Sequence, residues 1–289
     1  GTSERIMKSV GILGSGKIAI DLLVKLSKQE DYHCGVMAGR RKGTDGSRIA
    51  RELNVPFQDT SITGLLDYKD DLDVVIDATN AIDHLSHWDV LRQNGISVID
   101  MTPSDVGRNY FPYLSKICTD KVCNLNMVSC GGQTSIPYLK KMVDVVDDCK
   151  YIEVVSSISS KSAGMGTRIN LDQYISNTEK AITRHTSVDN VKVMLIINPA
   201  EPPVSMKTSI SLMCSRVSDS VVNKVAEEVE LQMKTYIPGF NIIVKPQWIE
   251  DRLITTIMVR GAGDYLPSYA GNLDIINSAA IFAIKDLLK

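Results

Sequence analysis

The stretch KSVGILGSGKIAIDLLVKLSKQ, residues 8–29, passes from a short apolar run through glycines into a helical pattern. Val10, Ile12 and Leu13 form the apolar run, and large aliphatic side chains recur at helical spacing after Gly16. The stretch therefore predicts a strand, a tight turn and a helix in immediate succession.

The same alternation continues beyond this stretch. Strand-like runs follow at HCGVMAG, DLDVVIDAT and ISVIDMT, and helical patterns lie between them at GSRIARELN and around HWDVLRQNG. Strands that are joined by helices build a parallel sheet through right-handed crossovers. We therefore predict an α/β fold that opens with a Rossmann-type, doubly wound domain over residues 1–130.

The second half of the chain has a different pattern of predicted elements. YIEVVSSISS, VKVMLIINPA and MKTSISLMCS are strand-like, and NIIVKPQWIEDRLITTIMVRG predicts two strands around a turn at Glu250-Asp251. SDSVVNKVAEEVELQMKTY predicts one long amphipathic helix that stops at Pro238-Gly239. We expect an α+β domain over residues 131–270, and a C-terminal helix over 271–289 that packs back on the first domain.

Composition excludes several classes of protein. The chain has 289 residues, 44% of them hydrophobic, and a formal net charge of -2, which gives no basic field for nucleic acid. No apolar run reaches the roughly 18 residues that a membrane span needs, and the first residues lack a signal-peptide pattern. We expect a cytoplasmic protein without a metal site, in which the six scattered cysteines are free thiols.

A Gly-rich motif lies in the first turn. Gly14, Ser15, Gly16, Lys17, Ile18 and Ala19 fit G-x-G-x-x-G/A between a predicted strand and a predicted helix. In that context the glycines let a dinucleotide pyrophosphate approach the helix N-terminus. The alternative is an ordinary tight turn.

The end of the second predicted strand reads AGRRK, residues 38–42. An acid that would bond a ribose 2′-hydroxyl is missing there. Arg40 and Arg41 instead favour binding of a 2′-phosphate, because a guanidinium pairs well with phosphate. The alternative is a solvated charged loop.

Cys130 precedes Gly131-Gly132 and a predicted helix with Thr134 or Ser135 as its N-cap and Pro137 in its first turn. The positive end of a helix favours a thiolate, and glycine amides can approach a developing oxyanion. These features make Cys130 a candidate nucleophile, with a buried structural cysteine as the alternative. None of the four histidines is a clear partner, and we expect them to be surface or packing residues.

Four further segments, read together with the Gly-rich motif, carry a family resemblance. NMVSCGGQTSIP, SAGMGTRIN, IINPAEPP and GAGDYLPSYAGNLDI follow the motif GSGKIAIDLL in order. From about Val10 to its end, the chain resembles the acylating acetaldehyde dehydrogenases of aromatic hydrocarbon (meta-cleavage) catabolism that partner 4-hydroxy-2-oxovalerate aldolases.

The resemblance implies a second domain like the catalytic and dimerisation domain of glyceraldehyde-3-phosphate dehydrogenase. It implies that aldehyde, CoA and NAD give acyl-CoA and NADH through a thioester on Cys130, in a homodimer that can associate with an aldolase. The residues that it implies for dinucleotide binding, in addition to the Gly-rich turn, are Ser162, Ala163, Gly164, Met165, Gly166, Thr167, Arg168, Ile169, Asn170 and Asn272. From pattern alone, residues 159–170 are either a plain loop or a cofactor-contacting one.

Three positions depart from the family pattern. Lys17 stands where the family usually has Asn, Arg41 where it often has an acid, and Thr208 where it has an aspartate that is the candidate base for the cysteine. Two competing hypotheses follow: an acylating dehydrogenase or acyl-CoA reductase for another aldehyde with NADP, and a catalytically weak dinucleotide-binding partner subunit.

Overall fold

The Gly-rich turn joins the first strand to the first helix, as predicted. The computed structural model describes residues 7–289, and in it β1 spans Lys8–Leu13 and α1 spans Lys17–Ser27. Gly14 lies between them with a φ of +120°, and a Cβ at this position would lie 2.8 Å from the backbone oxygen of Ala78. Glycine is therefore required here both by its backbone conformation and by the close approach of the neighbouring strand.

Seven strands form the first sheet, and all its strand pairs are parallel. The strands after β1 are β2 Tyr32–Ala38, β3 Phe57–Gln58, β4 Val74–Asp77, β5 Val98–Asp100, β6 Arg108–Asn109 and β7 Asn124–Asn126. The helices after α1 are α2 Asp45–Glu52, α3 Ile62–Leu65 and α4 Ala81–Gln93. The strand order β3-β2-β1-β4-β5-β7-β6 reverses direction next to β1. In doubly wound sheets, ligands bind outside the carboxyl ends of the strands at such a reversal.

The second sheet has five strands in the order β11-β12-β10-β8-β9. Its strands are β8 Asp147–Ser159, β9 Val191–Asn198, β10 Met206–Ser215, β11 Phe240–Ile249 and β12 Arg252–Val259. Its helices are α5 Cys130–Val143, α6 Met165–Ile169, α7 Leu171–Thr186 and α8 Asp219–Met233. The pair β8–β9 is parallel and the other pairs are antiparallel. The predicted combination of a parallel Rossmann sheet and an α+β part is confirmed.

The chain divides into two compact units. The first unit consists of the described residues up to Met127 together with Ala280–Lys289. The second unit is Val128–Ala279. The last helix, α9 Gly271–Leu287, contributes residues to both. Within the first unit, the Tyr110 hydroxyl donates to Asp286, and the rings of Tyr113 and Phe282 lie 4.8 Å apart between centroids.

One local expectation is wrong. The expectation of six free thiols fails at Cys118 and Cys123, which form a disulfide across a turn that brings their Cα atoms to 6.6 Å. His185, one of the four histidines, lies in the last turn of α7, where Nδ1 is 2.7 Å from the Ala181 oxygen. Among residues 7–289, no helix is both long enough and apolar enough to cross a bilayer.

Candidate active site

Cys130 is the first residue of α5, so the helix begins earlier than the sequence predicted. The N-cap is Ser129, whose hydroxyl accepts a hydrogen bond of 3.0 Å from the Gly132 amide. The hydroxyls of the predicted caps, Thr134 and Ser135, instead donate to carbonyls of the preceding turn. A serine that caps the helix directly before the cysteine places the thiol at the positive end of the helix.

The hydroxyl of Tyr174 contacts both the nucleophile candidate and the first turn of its helix. Tyr174 Oη lies 3.2 Å from Cys130 Sγ and accepts a hydrogen bond of 3.0 Å from the Gly131 amide. The sequence left the glycine amides available to an oxyanion, but in the structure the amides of Gly131 and Gly132 both have side-chain partners. The polar environment of the sulfur is thus built by a side chain that the sequence analysis missed.

Tyr174 escaped the sequence analysis because its helix has a weak apolar pattern. The buried positions of α7 are Tyr174, Asn177, Thr178, Ala181 and Ile182, together with Thr186. Their spacing is helical, yet half of these side chains are polar. The helical spacing of these six positions, counted whether or not the side chain is polar, was the signal in the sequence that could have predicted this helix.

The thiol of Cys130 is harder to ionise than a free cysteine. Burial by surrounding protein raises the pKa of the Cys130 thiol, although the residue as a whole is only half-buried. The hydrogen bond from Tyr174 and the backbone amides of Gly131 and Cys130 lower the pKa but do not cancel the effect of burial. The start of α5 and Tyr174 thus favour the thiolate, as expected for a helix N-terminus, but burial opposes it more strongly.

Neutral hydroxyls lie beneath the first turn of α5. Ser156 Oγ on β8 is 3.5 Å from the point where a Cβ on Gly131 would stand. Thr208 on β10 is fully buried, and its hydroxyl lies 2.9 Å from Ser156 Oγ. The position where the family resemblance expects an acid thus holds a hydroxyl that is already hydrogen-bonded.

The segment 162–170 contains the short helix α6, Met165–Ile169, rather than a loop throughout. Gly164 is the N-cap of α6 and has no side-chain cap, and Asn170 precedes α7. Arg168 donates back to the carbonyls of Ala163 and Ser160. Thr167 is half-buried and Ile169 is 73% exposed, while the side chain of Met165 lies outside the described residues.

Asn272 forms a hydrogen bond with this segment. Its side-chain nitrogen donates to the Ser162 carbonyl at 3.3 Å, and its buried side-chain oxygen has no hydrogen-bond partner among residues 7–289. The structure therefore brings together two residues that the resemblance implied for dinucleotide binding, and leaves one polar atom available to a ligand.

The Gly-rich turn lies in the first unit and suits a phosphate. Gly16 is the N-cap of α1 and provides no side-chain cap, and a Cβ on it would meet no atom within 4 Å. Ser15 packs against Gly39, where a Cβ would be 2.6 Å from the serine oxygen. Lys17 is exposed and Ile18 is half-buried. The space beside Gly16 at the start of α1 is thus open, as an anion site requires.

The basic run after β2 is partly neutralised. The guanidinium of Arg40 pairs with Asp83 in the first turn of α4. The Asp83 carboxylate also accepts a hydrogen bond of 2.8 Å from the side-chain nitrogen of Asn80. Arg41 is exposed, and Lys42 lies 3.9 Å from Asp59. Both interpretations of this run, a phosphate contact and a solvated loop, fit the exposure of these side chains.

Comparisons with known proteins identify related sequences. Residues 130–267 match a family model described as "Prokaryotic acetaldehyde dehydrogenase, dimerisation". An acetaldehyde dehydrogenase of Pectobacterium atrosepticum is 44% identical over 94% of this chain and 93% of its own length. One from Spirochaeta aurantia is 42% identical over 97% of this chain and 94% of its own length.

Solved structures share the fold at low sequence identity. A probable aspartate-semialdehyde dehydrogenase from Pseudomonas aeruginosa has a TM-score of 0.66 at 12% identity, covering 98% of this chain and 99% of that chain. An aspartate-semialdehyde dehydrogenase from Candida albicans, solved with NADP, has a TM-score of 0.60 at 12% identity over 96% and 99%. The sequence relationship extends over nearly the whole chain, and the chain belongs to the acetaldehyde dehydrogenase family.

Proposed function

We propose that this chain is a CoA-acylating aldehyde dehydrogenase that converts a short aldehyde, CoA and NAD(P)+ into acyl-CoA and NAD(P)H. The observation that carries the proposal is the placement of Cys130 at the first position of α5, with Tyr174 and the Gly131 amide around it. Acetaldehyde is the substrate that the names of the relatives favour.

In the first step the Cys130 thiolate attacks the aldehyde carbon. A carbon–sulfur bond forms, the carbonyl electron pair moves to oxygen, and a thiohemiacetal oxyanion results. The thiol proton has by then been released to solvent. Polar hydrogens beside the sulfur stabilise the oxyanion electrostatically.

A bound nicotinamide dinucleotide would supply the acceptor for a hydride from the former aldehyde carbon. Loss of the hydride restores the carbonyl and leaves a thioester on Cys130. The CoA thiolate then forms a new carbon–sulfur bond to the acyl group as the bond to Cys130 breaks, which returns Cys130 as thiolate.

The dinucleotide is held by the chain's own anion site. The uncapped start of α1 at Gly16 fits a pyrophosphate, and Gly14, Ser15, Lys17 and Ile18 form the rest of that turn. Asn272, with its unpartnered buried oxygen, fits a hydrogen-bond donor of the cofactor. Arg40 and Arg41 favour NADP, whereas the family resemblance favours NAD.

We further propose that the chain forms a homodimer through its second unit, because the matching family model describes a dimerisation region. The resemblance also extends to an aldolase as partner, which co-purification with a 4-hydroxy-2-oxovalerate aldolase tests.

An aldehyde panel tests the activity. The purified chain is incubated with aldehydes of increasing length, with NAD or NADP, and with CoA present or omitted, and acyl-CoA and free acid are separated by chromatography. We expect CoA-dependent acyl-CoA and cofactor reduction.

The variant Cys130→Ala decides the covalent mechanism. It should lose acyl-CoA formation and retain dinucleotide binding, while Cys149→Ala, which removes another free and half-buried thiol, should keep both. Acyl-CoA formation at the normal rate by Cys130→Ala would falsify the covalent mechanism.

A dinucleotide-binding subunit with weak catalysis is the second candidate. The hydroxyl pair of Thr208 and Ser156, in place of a carboxylate, favours it. Cofactor binding without turnover over the whole panel would establish this candidate instead of the enzyme.

A further inference from the structure

Tyr174 is placed to control the charge of the nucleophile. Its hydroxyl lies between Cys130 Sγ at 3.2 Å and the Gly131 amide nitrogen at 3.0 Å. The contact with the helix is tight, because a Cβ on Gly131 would lie only 2.6 Å from the hydroxyl oxygen. A residue larger than glycine at position 131 would therefore displace the hydroxyl from the helix start.

The direction of the hydrogen bonds leaves the phenolic proton for the sulfur. Because the Gly131 amide donates to Tyr174 Oη, the oxygen serves as acceptor on that side. On the other side, Thr178 donates to the Tyr174 backbone carbonyl at 2.7 Å, so the Ser129 hydroxyl must donate to Thr178 in their 2.7 Å contact. Ser129 is also a hydrogen-bond neighbour of Tyr174, but its proton is already used, so Tyr174 receives no proton from it. A Cys130 thiolate has no proton to donate, so its contact with Tyr174 can only be a hydrogen bond from the phenol to the sulfur.

Protonation favours the same arrangement. Burial raises the pKa of Tyr174 well above its ordinary value, and the neighbouring Cys130 raises it further. The phenol therefore stays protonated at neutral pH, which makes it a hydrogen-bond donor and excludes it as a base. Ser156 on β8 and Thr208 on β10 provide neutral hydroxyls near this site. The basic residues of α5, Lys140 and Lys141, lie in its last turn, whereas Cys130 is its first residue.

We propose that Tyr174 is a catalytic residue that donates its phenolic proton in a hydrogen bond to the Cys130 thiolate and so replaces a charged partner of the nucleophile. The catalytic role of this hydrogen bond rests on the proposed function. The Gly131 amide polarises the phenol, which extends the positive end of α5 to the sulfur. Once the thiohemiacetal forms, the sulfur loses its charge, and the same proton is within reach of the new oxyanion.

The test measures the alkylation rate of Cys130 by iodoacetamide against pH, without aldehyde or cofactor, with the modified peptide identified by mass spectrometry. Tyr174→Phe should move the midpoint up by about 1–2 pH units, as loss of a charge-assisted hydrogen bond implies. The matched control is Tyr138→Phe, which removes another buried hydroxyl, bonded to Thr255, from α5 itself. It should leave the midpoint unchanged.

A second replacement covers the case in which Tyr174→Phe does not fold. With 3-fluorotyrosine at position 174 the phenol keeps its shape and becomes a stronger donor, so the midpoint should move to lower pH. An unchanged midpoint in either Tyr174 protein, or an equal shift in Tyr138→Phe, overturns the inference. Failure of the proposed function is separate, since it shows as turnover by Cys130→Ala whatever the alkylation profile.

Discussion

A threonine at position 208, where the family resemblance expects an aspartate, changes which groups can stabilise the Cys130 thiolate. Its hydroxyl is fully buried and hydrogen-bonded to Ser156, so it neither carries charge nor takes a proton near neutral pH. Burial also raises the pKa of Cys130. Stabilisation of the thiolate must therefore come from uncharged donors, which are the helix amides and the Tyr174 phenol.

Asp83 is a second single residue with a predicted effect, here on cofactor choice. It pairs with Arg40, whose guanidinium would otherwise be available to a 2′-phosphate. In Asp83→Asn the Asn80 contact can persist, but the competing charge is gone. We expect the ratio of KM for NADP to KM for NAD to fall by about 2- to 5-fold, the size of an exposed ion pair.

Steady-state kinetics with both cofactors measures this ratio. Asp89→Asn is the control, since it removes an exposed carboxylate that pairs with Arg92 on the same helix. A parallel change in both KM values would mean that Arg40 belongs to a solvated loop.

At the scale of elements, a buried charge network ties α4 to the carboxyl ends of β4 and β5. His84 on α4 places Nδ1 at 2.8 Å from Asp77 and Nε2 at 3.2 Å from Asp100, and all three side chains are fully buried. His87 adds a second bond of 2.9 Å to Asp77. The side-chain nitrogen of Asn124 also lies 3.0 Å from Nε2. Two carboxylates beside one imidazole favour the protonated form of His84.

The pKa directions agree with this arrangement. Burial opposes the charge of His84, but the hydrogen bond to Asp77 and the charges of Asp100 and Asp77 outweigh it and raise the pKa of His84. Burial likewise opposes ionisation of Asp77, yet hydrogen bonds from His84, His87 and Thr79 outweigh it and lower its pKa. Burial raises the pKa of Asp100, and His84 only partly offsets this effect.

His84→Gln should therefore destabilise the first unit in a pH-dependent way. A folded-state pKa above the unfolded value means that protonation stabilises the fold below the unfolded-state pKa of about 6.5. That contribution disappears as the pH rises through the folded-state pKa. We expect a loss of about 3–5 kcal/mol near pH 6, as for removal of one partner of a buried pair, and a smaller loss toward pH 9.

Urea unfolding at both pH values measures the loss. His33→Gln, at an exposed position on β2, serves as control and should stay within about 0.5 kcal/mol of the parent. A loss that is the same at pH 6 and pH 9 would show that His84 is neutral in the folded protein.

At the scale of the whole molecule, the second sheet has an open edge. β9 is an edge strand, and Met194 and Ile196, which point to one face of it, are 41% and 47% exposed. Exposed apolar edge strands are sites of association. Together with the dimerisation description of the matching family, this favours a second copy of the chain as the occupant.

The double variant Met194→Glu, Ile196→Glu should weaken the dimer. Like charges brought together across a two-fold interface repel, and apolar burial is lost. Sedimentation equilibrium should show the mass falling toward that of a single chain as the protein is diluted, whereas Leu231→Glu, at a 74% exposed position on α8, should not. A variant that dissociates no more readily than the parent places the dimer contact elsewhere.

The sequence by itself determined the order and type of the main elements. Period-two and period-3.6 patterns and the Gly-rich turn depend on neighbours along the chain, which is why β1, α1, β4, β5 and α8 were predicted. The start of α5 was predicted too late, because Thr134 and Ser135 are equally good caps by composition. Only the hydrogen bond from Gly132 to Ser129 distinguishes them.

Tertiary structure alone decided which side chains meet. Tyr174 and Cys130 are 44 residues apart in the chain, and their contact exists because α7 packs against α5. Likewise, Asp100 reaches His84 only because β4 and β5 are neighbours in the sheet and α4 lies beside β5. Contacts between distant segments depend on the packing of whole elements, and no local pattern in either segment encodes the distance between them.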